Sequence, residues 1–570
     1  MAEPHSPANG VETVHLPSAS FPSTASTEKV QEEQETDVLD PEVDANGQYL
    51  TGLRLAFTFV GLLLSPLIGT LDLTIVSTAL PTILSEFDGL GQVTWVPTAY
   101  LLTVTAFTLP VGQLLSLYPT KPVYITSIII FELGSLLCAV STSMRFLIAG
   151  RAIAGIGNAA MVTCVVSAIA QIAKLETRPA LFGLIGVAWA IASVMGPLVG
   201  GAFTARVTWR WCFYINLPIG GVSLLISWFM PYGKTLTKSK PSDTKSVLRR
   251  IAEVDWVGVL ISVCTVVAFL FPLQLGGNTD PWGSAQVIVP LVLSAVGLAL
   301  FIWWQRYVGD HALLPWKVMR QPVVASCFIA FCNFYGIMVG IYYIPLWYQS
   351  QGRTAIQSGI DLLPFILSSV LSSMVAGFLA NGTGKYWILM VVCPLLSSIG
   401  FGLMYTVDVG SIEGKLIGYQ IISGIGVGST LQMPELSIQA ELVHEEELIP
   451  QAVALSALFE GLGGIVGLAI GGAIFLNQLT HNLHNYAPLL PASVASSVQQ
   501  SIAYIFTLPI GERGAVVQAY VNSLDQVFLI GVPIGAISSL ISLTCIKNYN
   551  LKTRSATATK KEEGKQAETP

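Results

Sequence analysis

Five ionisable side chains interrupt long apolar stretches of this 570-residue sequence, and any chemistry the chain performs has to involve them. Asp72 stands in Leu71-Asp72-Leu73-Thr74-Ile75-Val76, and Glu132, Arg151, Glu435 and Glu460 stand in comparable surroundings. A charge at the centre of a hydrocarbon layer costs about 2.5–3.5 kcal/mol on insertion scales, so each of them carries a functional expectation. Burial favours the neutral acid and a neighbouring cation favours the carboxylate; balancing the two lets a carrier take up and release a proton. Asp72 and Arg151 are the preferred pair, because their runs belong to the same half of the chain. With Glu132 they are the proton-coupling candidates. The plainer alternatives are a permanent ion pair that locks helices together and, for Glu132, a bond to a backbone or hydroxyl group. Glu435 and Glu460, in the second half, are candidates for substrate contact. Asp361 begins an apolar run and is expected at an interface.

Aromatic residues divide by depth. Trp209, Trp211, Tyr214, Trp303, Trp304, Tyr342, Tyr343, Trp347 and Tyr348 fall near the ends of apolar runs and read as interfacial anchors. Tyr100, Trp189, Phe334 and Tyr335 fall deeper and are candidates to line an apolar cavity, with core packing as the alternative. Other chemistries find no support. Gly382-Thr383-Gly384-Lys385-Tyr386 resembles a phosphate loop but has Leu379 where the first Gly belongs and no Ser or Thr after the Lys, so direct use of ATP is not expected. The six histidines show no metal spacing, the eight cysteines form no CxxC pair, and no Ser/His/Asp arrangement can be drawn. Neither an enzyme, a cofactor nor a metal is expected.

The elements that position these residues follow from composition. The sequence is 52 % hydrophobic and 11 % charged, against about 25 % charged in an ordinary soluble domain. Lipid contact removes the need for polar surface, so the chain reads as an all-α polytopic membrane protein. A hydrocarbon core of about 30 Å asks for roughly 20 apolar residues per helix. Fourteen runs qualify, near 55–80, 94–116, 122–142, 146–171, 180–204, 211–231, 256–275, 286–306, 322–347, 358–380, 386–406, 413–440, 450–476 and 524–546. The first is the least regular, because Asp72 and Pro81 interrupt it. The spacing divides the chain into a disordered tail (1–50), a six-helix bundle (51–231), a basic linker (232–255), two extra helices (256–306), a second six-helix bundle (307–546) and a basic tail (547–570). Of 28 Lys and Arg residues, only Arg145, Arg206, Arg210, Arg353, Lys415 and Arg513 fall on one side and Arg151 within a run; the others lie on the side of the termini, which are therefore expected in the cytoplasm. The Asn381-Gly382-Thr383 sequon falls on that inner side, so no glycosylation is expected at Asn381. A net charge of −6 gives no reason to expect nucleic acid as a partner.

Four motifs in order carry a family resemblance. They are Leu71 to Pro81, Arg151-Ala152-Ile153-Ala154-Gly155-Ile156-Gly157, Gly186 followed by Gly196-Pro197-Leu198-Val199-Gly200-Gly201, and Trp209-Arg210-Trp211-Cys212-Phe213-Tyr214-Ile215-Asn216-Leu217-Pro218. Over about residues 50–550 the chain resembles the fourteen-spanner drug:proton antiporter branch of the major facilitator superfamily. The resemblance implies two six-helix bundles plus two extra helices, a proton-transfer role for Arg151, an acid partner in Asp72, and a gating kink at Gly186, Gly196, Pro197, Gly200 and Gly201. One stretch departs from the family. A loop that usually reads Gly-x-Leu-x-Asp-x-x-Gly-Arg-Lys reads Gly112-Gln113-Leu114-Leu115-Ser116-Leu117-Tyr118-Pro119-Thr120-Lys121 here, so the family's charged gate cannot form and gating must differ or be weaker. A similar loss occurs in fungal toxin-efflux carriers of secondary-metabolite clusters.

The expected function is export of a small organic compound, a toxin, secondary metabolite or drug, by proton antiport and alternating access. The expected setting is a monomer in the plasma membrane, with the vacuolar membrane as the alternative. An importer or facilitator, of a siderophore for example, and a non-transporting membrane sensor are the rival readings.

Overall fold

The computed structural model describes residues 49–87, 95–229, 253–276, 280–411, 413–488, 490–500 and 502–554. The expected tail (1–50, up to residue 48), nearly all of the basic linker with Lys234 to Arg250, and the tail residues Lys560, Lys561 and Lys565 lie outside them. A backbone in lipid must satisfy its own amides, which helices do within one segment, and the described residues are helical almost throughout. The helices are α1 (Gly52–Phe87), α2 (Trp95–Leu117), α3 (Thr120–Ala139), α4 (Met144–Ile172), α5 (Arg178–Arg206), α6 (Trp211–Tyr214), α7 (Asn216–Phe229), α8 (Trp256–Leu275) and α9 (Ala285–Val308). They continue as α10 (Gln321–Ser350), α11 (Ala355–Asp361), α12 (Leu363–Thr383), α13 (Trp387–Met404), α14 (Glu413–Thr430), α15 (Met433–Glu441), α16 (Ile449–Tyr486), α17 (Ala492–Gln500) and α18 (Ile510–Cys545).

Among the described residues, 13 helical stretches are long and apolar enough to cross a membrane. The run expected over 413–440 is the exception. It is divided into α14 and α15 at Leu431-Gln432, just before Pro434, which has no N–H to continue the ladder. Proline accounts for two further divisions, Pro218 in the first turn of α7 and Pro364 in that of α12. Conversely, α1 runs unbroken past Asp72 and Pro81 to Phe87. The helices α16 and α18 extend well beyond the expected 450–476 and 524–546, and α17 lies between their extended ends.

Helix direction alternates, which gives the bundle two faces. Leu50 N–H donates to Ile172 O at the end of α4 (3.0 Å), and Leu551 N–H donates to Gly384 O after α12 (3.0 Å). Both described chain ends therefore sit at one face, called here the terminal face. Helices α1 to α7 pack on one another through α1–α5, α2–α4 and α3–α4, and α10 to α18 through α10–α16, α12–α14 and α13–α18. The pair α8–α9 packs against α2 and leaves Val289, Val292, Leu293, Val296 and Leu300 exposed, a face suited to lipid. The two sets of helices meet along α2–α16 and α5–α12.

Candidate functional site

The deepest polar cluster forms where α1, α2, α3, α4 and α7 converge. Arg151 Nη1 donates to Asp72 Oδ2 at 2.5 Å, and neither side chain has any solvent exposure. The guanidinium also donates through Nε to Val96 O (3.3 Å) and lies 4.2 Å from the centre of the Tyr100 ring. Tyr100 in turn donates to Gly69 O (3.3 Å). On the other side of the carboxylate, Asn216 Nδ2 donates to Asp72 Oδ1 (2.9 Å) and lies 3.1 Å from Ser135 Oγ. Arg151 Nη2 and Asn216 Oδ1 remain without a hydrogen bond among the described residues. Charge, hydrogen bonds and an aromatic face thus converge on one arginine, the arrangement that makes a buried ion tolerable.

Each element delivers its residue by a local rule. The Ser143 side chain caps α4, accepting from Phe146 N–H (3.3 Å), and sets the register that brings Arg151 round to α1. Asn216 begins α7, after the chain has turned through Ile215. Gly196 and Gly200 let α5 rest directly on α1, because a side chain at either would strike Thr74, Ile75 or Thr78. The Thr74 hydroxyl lies 3.3 Å from Ala192 O across the same contact.

The remaining candidates divide between two places. Trp189, Phe334 and Tyr335 share one apolar cluster with Tyr343, Trp347 and Tyr348. Tyr100 does not join them: it belongs to the ion-pair cluster. Glu435 and Glu460 both lie within electrostatic reach of Cys327 on α10, and of one another. Glu435 is buried and its Oε2 accepts no hydrogen bond among the described residues. Gly461, next to Glu460, faces Thr105 of α2, which puts this second acidic pair beside the seam between the two sets of helices.

Several expectations need correction. Glu132 bonds neither backbone nor hydroxyl among the described residues; both carboxylate oxygens are unpartnered and lie against Gly220 of α7. Of the residues expected to form the gating kink, Gly201 faces open space, and Pro197 lies inside the continuous helix α5. Trp209 is buried, because its indole N–H donates to Glu86 Oε2 (2.6 Å) beside an Arg210–Glu86 ion pair of 2.9 Å. Trp304 donates to Asp255 Oδ1 (2.8 Å). Tyr343, Trp347 and Tyr348 are core residues, whereas Trp211, Trp303 and Tyr342 are exposed as anchors should be. Asp361 pairs with Arg353 at 3.6 Å. Asn381 lies in the last turns of α12, at the terminal face.

The departed loop has partners of a different kind. Gly112 abuts Pro450, Gln451 and Ala454 at the start of α16. Gln113 donates to His311 O (3.1 Å) and accepts from Asp255 N–H (3.2 Å). Beside it, the fully buried Arg178 donates to Ala170 O (2.7 Å), Ala173 O (2.9 Å) and Gln439 Oε1 (3.2 Å), and pairs with Glu446 at 3.6 Å. A close backbone approach and one buried arginine therefore tie the two helix sets at the terminal face, where the family uses a charged loop. Neither Asn216 nor Arg178 was singled out from the sequence. Each looked ordinary there, a polar residue in an aromatic motif and a basic residue at the end of a loop.

The description "Major Facilitator Superfamily" matches residues 62–468. The "Efflux pump aunC" of Aspergillus niger is 34 % identical over 519 residues, 90 % of each chain. The "MFS-type efflux pump MFS1" of Trichophyton rubrum is 36 % identical over 498 residues, 87 % of this chain and 92 % of its own. Among solved structures, the proton:xylose symporter XylE has a similar fold, with a TM-score of 0.58 at 11 % identity over 88 % of this chain and 98 % of its own.

Proposed function

The chain belongs to the major facilitator superfamily, and from that premise we propose that it exports a small organic compound, a toxin, secondary metabolite or drug, in exchange for inward-moving protons. It is a multi-pass membrane transporter, not an enzyme. Relatives that are themselves efflux pumps support export. The observation that carries the proton half of the reading is the ion pair of Asp72 and Arg151, closed to solvent and built from two helices of one bundle.

The mechanism follows from what protonation removes. A proton on Asp72 cancels its charge attraction for Arg151, which then keeps Val96 O and the Tyr100 and Phe213 rings. Helix α1 is thereby released from α4, and α5 rests on α1 through Gly196 and Gly200. On its other side α5 touches α12, where Gly183 and Gly186 face Met374 and Ser373. A change at Asp72 thus has a packed route to the seam between the bundles, and rocking about that seam exposes the substrate cavity to alternate sides. Trp189, Phe334 and Tyr335 offer an apolar surface for the substrate, and Glu435 with Glu460 a polar one. Glu132 is a second proton acceptor near the pair. One charge crossing 100 mV is worth about 2.3 kcal/mol, enough to sustain a concentration ratio of roughly fifty.

In this reading the terminal face is cytoplasmic, the protein works as a monomer, and its membrane is the plasma membrane, with the vacuolar membrane as alternative. The test is export from proteoliposomes under an imposed pH gradient. Asp72→Asn is expected to abolish pH-driven export while the protein stays membrane-inserted; unchanged export at every pH removes Asp72 from the mechanism. Comparing metabolites secreted with and without the gene identifies the cargo, and net uptake in overproducing cells would replace export with the importer reading.

A further inference from the structure

On the face opposite the chain ends, a cavity of about 500 Å³ opens between the ends of α13, α16 and α18, wholly within the second set of helices. Its polar lining includes Asp408, Gln478, Asn482, Asn522, Asp525 and Gln526. Asp525 is decisive. Its side chain lines the cavity yet is only 6 % exposed, and its Oδ1 accepts no hydrogen bond among the described residues. A carboxylate withdrawn from water without a partner is costly, a cost that a proton or a cation facing it relieves. Asp408, exposed on the connection after α13, adds a second negative charge to the lining.

The amides line the site without adding charge. Asn482 donates one amide N–H to Ser523 Oγ (2.9 Å), and Asn522 donates one to the Tyr486 hydroxyl (2.7 Å) and accepts from Gln518 Nε2 (2.8 Å). Each carboxamide keeps a second N–H, so the amides can donate as well as accept. Among the described residues, no lysine or arginine lines the cavity. The charge of the lining comes from two carboxylates, complementary to a molecule bearing positive charge, with carboxamides around it that can take either role in hydrogen bonds. Size separates the two kinds of cation. A bound calcium ion needs 6–8 oxygens at about 2.3–2.6 Å, and no group of three or more acidic, histidine or cysteine side chains that could hold a metal occurs among the described residues. The volume instead matches small-molecule pockets of about 300–1,000 Å³.

We propose that this vestibule, formed by Asp525 and Asp408 with their neighbouring carboxamides, is a binding site for an organic ammonium compound, separate from the Asp72–Arg151 pair in the first bundle. The site is open to the opposite face and needs no movement of the bundles to fill, so it holds its ligand whether or not transport proceeds.

Calorimetric titration of the purified full-length protein in nanodiscs with spermidine, and with sorbitol as a neutral polyol, tests this. Saturable spermidine binding and no sorbitol binding are expected. Asp525→Asn should weaken spermidine by about tenfold or more, the exposed Asp408→Asn by about two- to fivefold, and Asp72→Asn should leave it unchanged. Asp408→Asn keeps the test valid should Asp525→Asn fail to fold. Unchanged affinity in Asp408→Asn and in any folded Asp525→Asn, sorbitol binding as tightly as spermidine, or displacement of spermidine by an equal concentration of magnesium would each overturn the assignment. Loss of binding in Asp72→Asn would overturn its separateness.

Discussion

At the scale of single residues, the economy of the first bundle centres on Arg151. Its guanidinium meets a carboxylate, a backbone carbonyl and an aromatic face at once, which a lysine ammonium, lacking the planar fork, cannot reproduce. Removing one member of a buried pair strands the other, so Arg151→Met alone is expected to cost about 3–5 kcal/mol of stability. Combined with Asp72→Asn, the loss should be smaller than the sum, and thermal unfolding of the four proteins in detergent measures the coupling. Titration at the terminal face has a different sign and window. Arg320 holds the Glu445 carboxyl below its ordinary value of 4.5 through a hydrogen bond to Glu445 Oε2 of 2.6 Å. A lowered pKa means the pair contributes fully above the ordinary value and fades as pH falls through the depressed one. The difference in melting temperature between wild type and Glu445→Gln is therefore expected to be full well above the ordinary value of 4.5 and to shrink as pH falls below it. Asp72 and Arg151 were legible in the sequence because charge among apolar residues has no cheap explanation. Asn216 was not, since an amide near a helix start is common and only the fold shows it facing Asp72.

At the scale of elements, the helices were legible wherever lipid alone dictates composition, and misjudged wherever protein replaces lipid. Hydropathy finds α8 and α9, whose sides are exposed, but stops short on α16 and α18, which continue with Gln478, Asn482 and Asn522 beyond the apolar layer. Tyr343, Trp347 and Tyr348 sit near a helix end as anchors would, and only tertiary packing reveals them as core. The glycines of α5 show the same division: all belong to one motif, yet Gly200 abuts Ile75 and Thr78 while Gly201 faces open space. Small residues matter where backbones touch. Gly200→Ala is accordingly expected to separate α5 from α1, costing about 1–3 kcal/mol and most of the transport rate. Gly201→Ala should leave both melting temperature and flux at wild-type values. Equal effects of the two substitutions would show that the motif acts by general flexibility, not by contact.

At the scale of the whole molecule, the alternating access proposed above requires a closure at each face that holds and then yields. The loop Gly112–Lys121 carries no acidic residue, and the terminal face is instead joined by Arg178, whose four polar contacts reach both its own bundle and Gln439 and Glu446 of the other. The buried arginine is joined there by Gln439, whose amide lies 3.4 Å from Val166 O, and by Tyr49, whose hydroxyl lies 3.4 Å from Glu446 Oε1, but it is the one among these that carries charge across the seam. Cys327 reports on that closure. It is fully buried near the terminal-face end of α10, beside Glu435 and Glu460. In a variant whose only cysteine is Cys327, alkylation by a small maleimide is expected to be slow while Arg178 holds the seam. Arg178→Ala should shift the balance towards an opening at the terminal face and raise the alkylation rate at least about fivefold, the lower end of ordinary coupling energies. Glu446→Gln, which leaves the bonds to Gln439 and the two carbonyls, should raise it less. If Arg178→Ala leaves the rate unchanged while the protein remains folded, closure of this face rests on its other ties, the approach of Gly112 to α16 and the Gln439 contact with Val166 O among them, and the arginine serves only to anchor the start of α5.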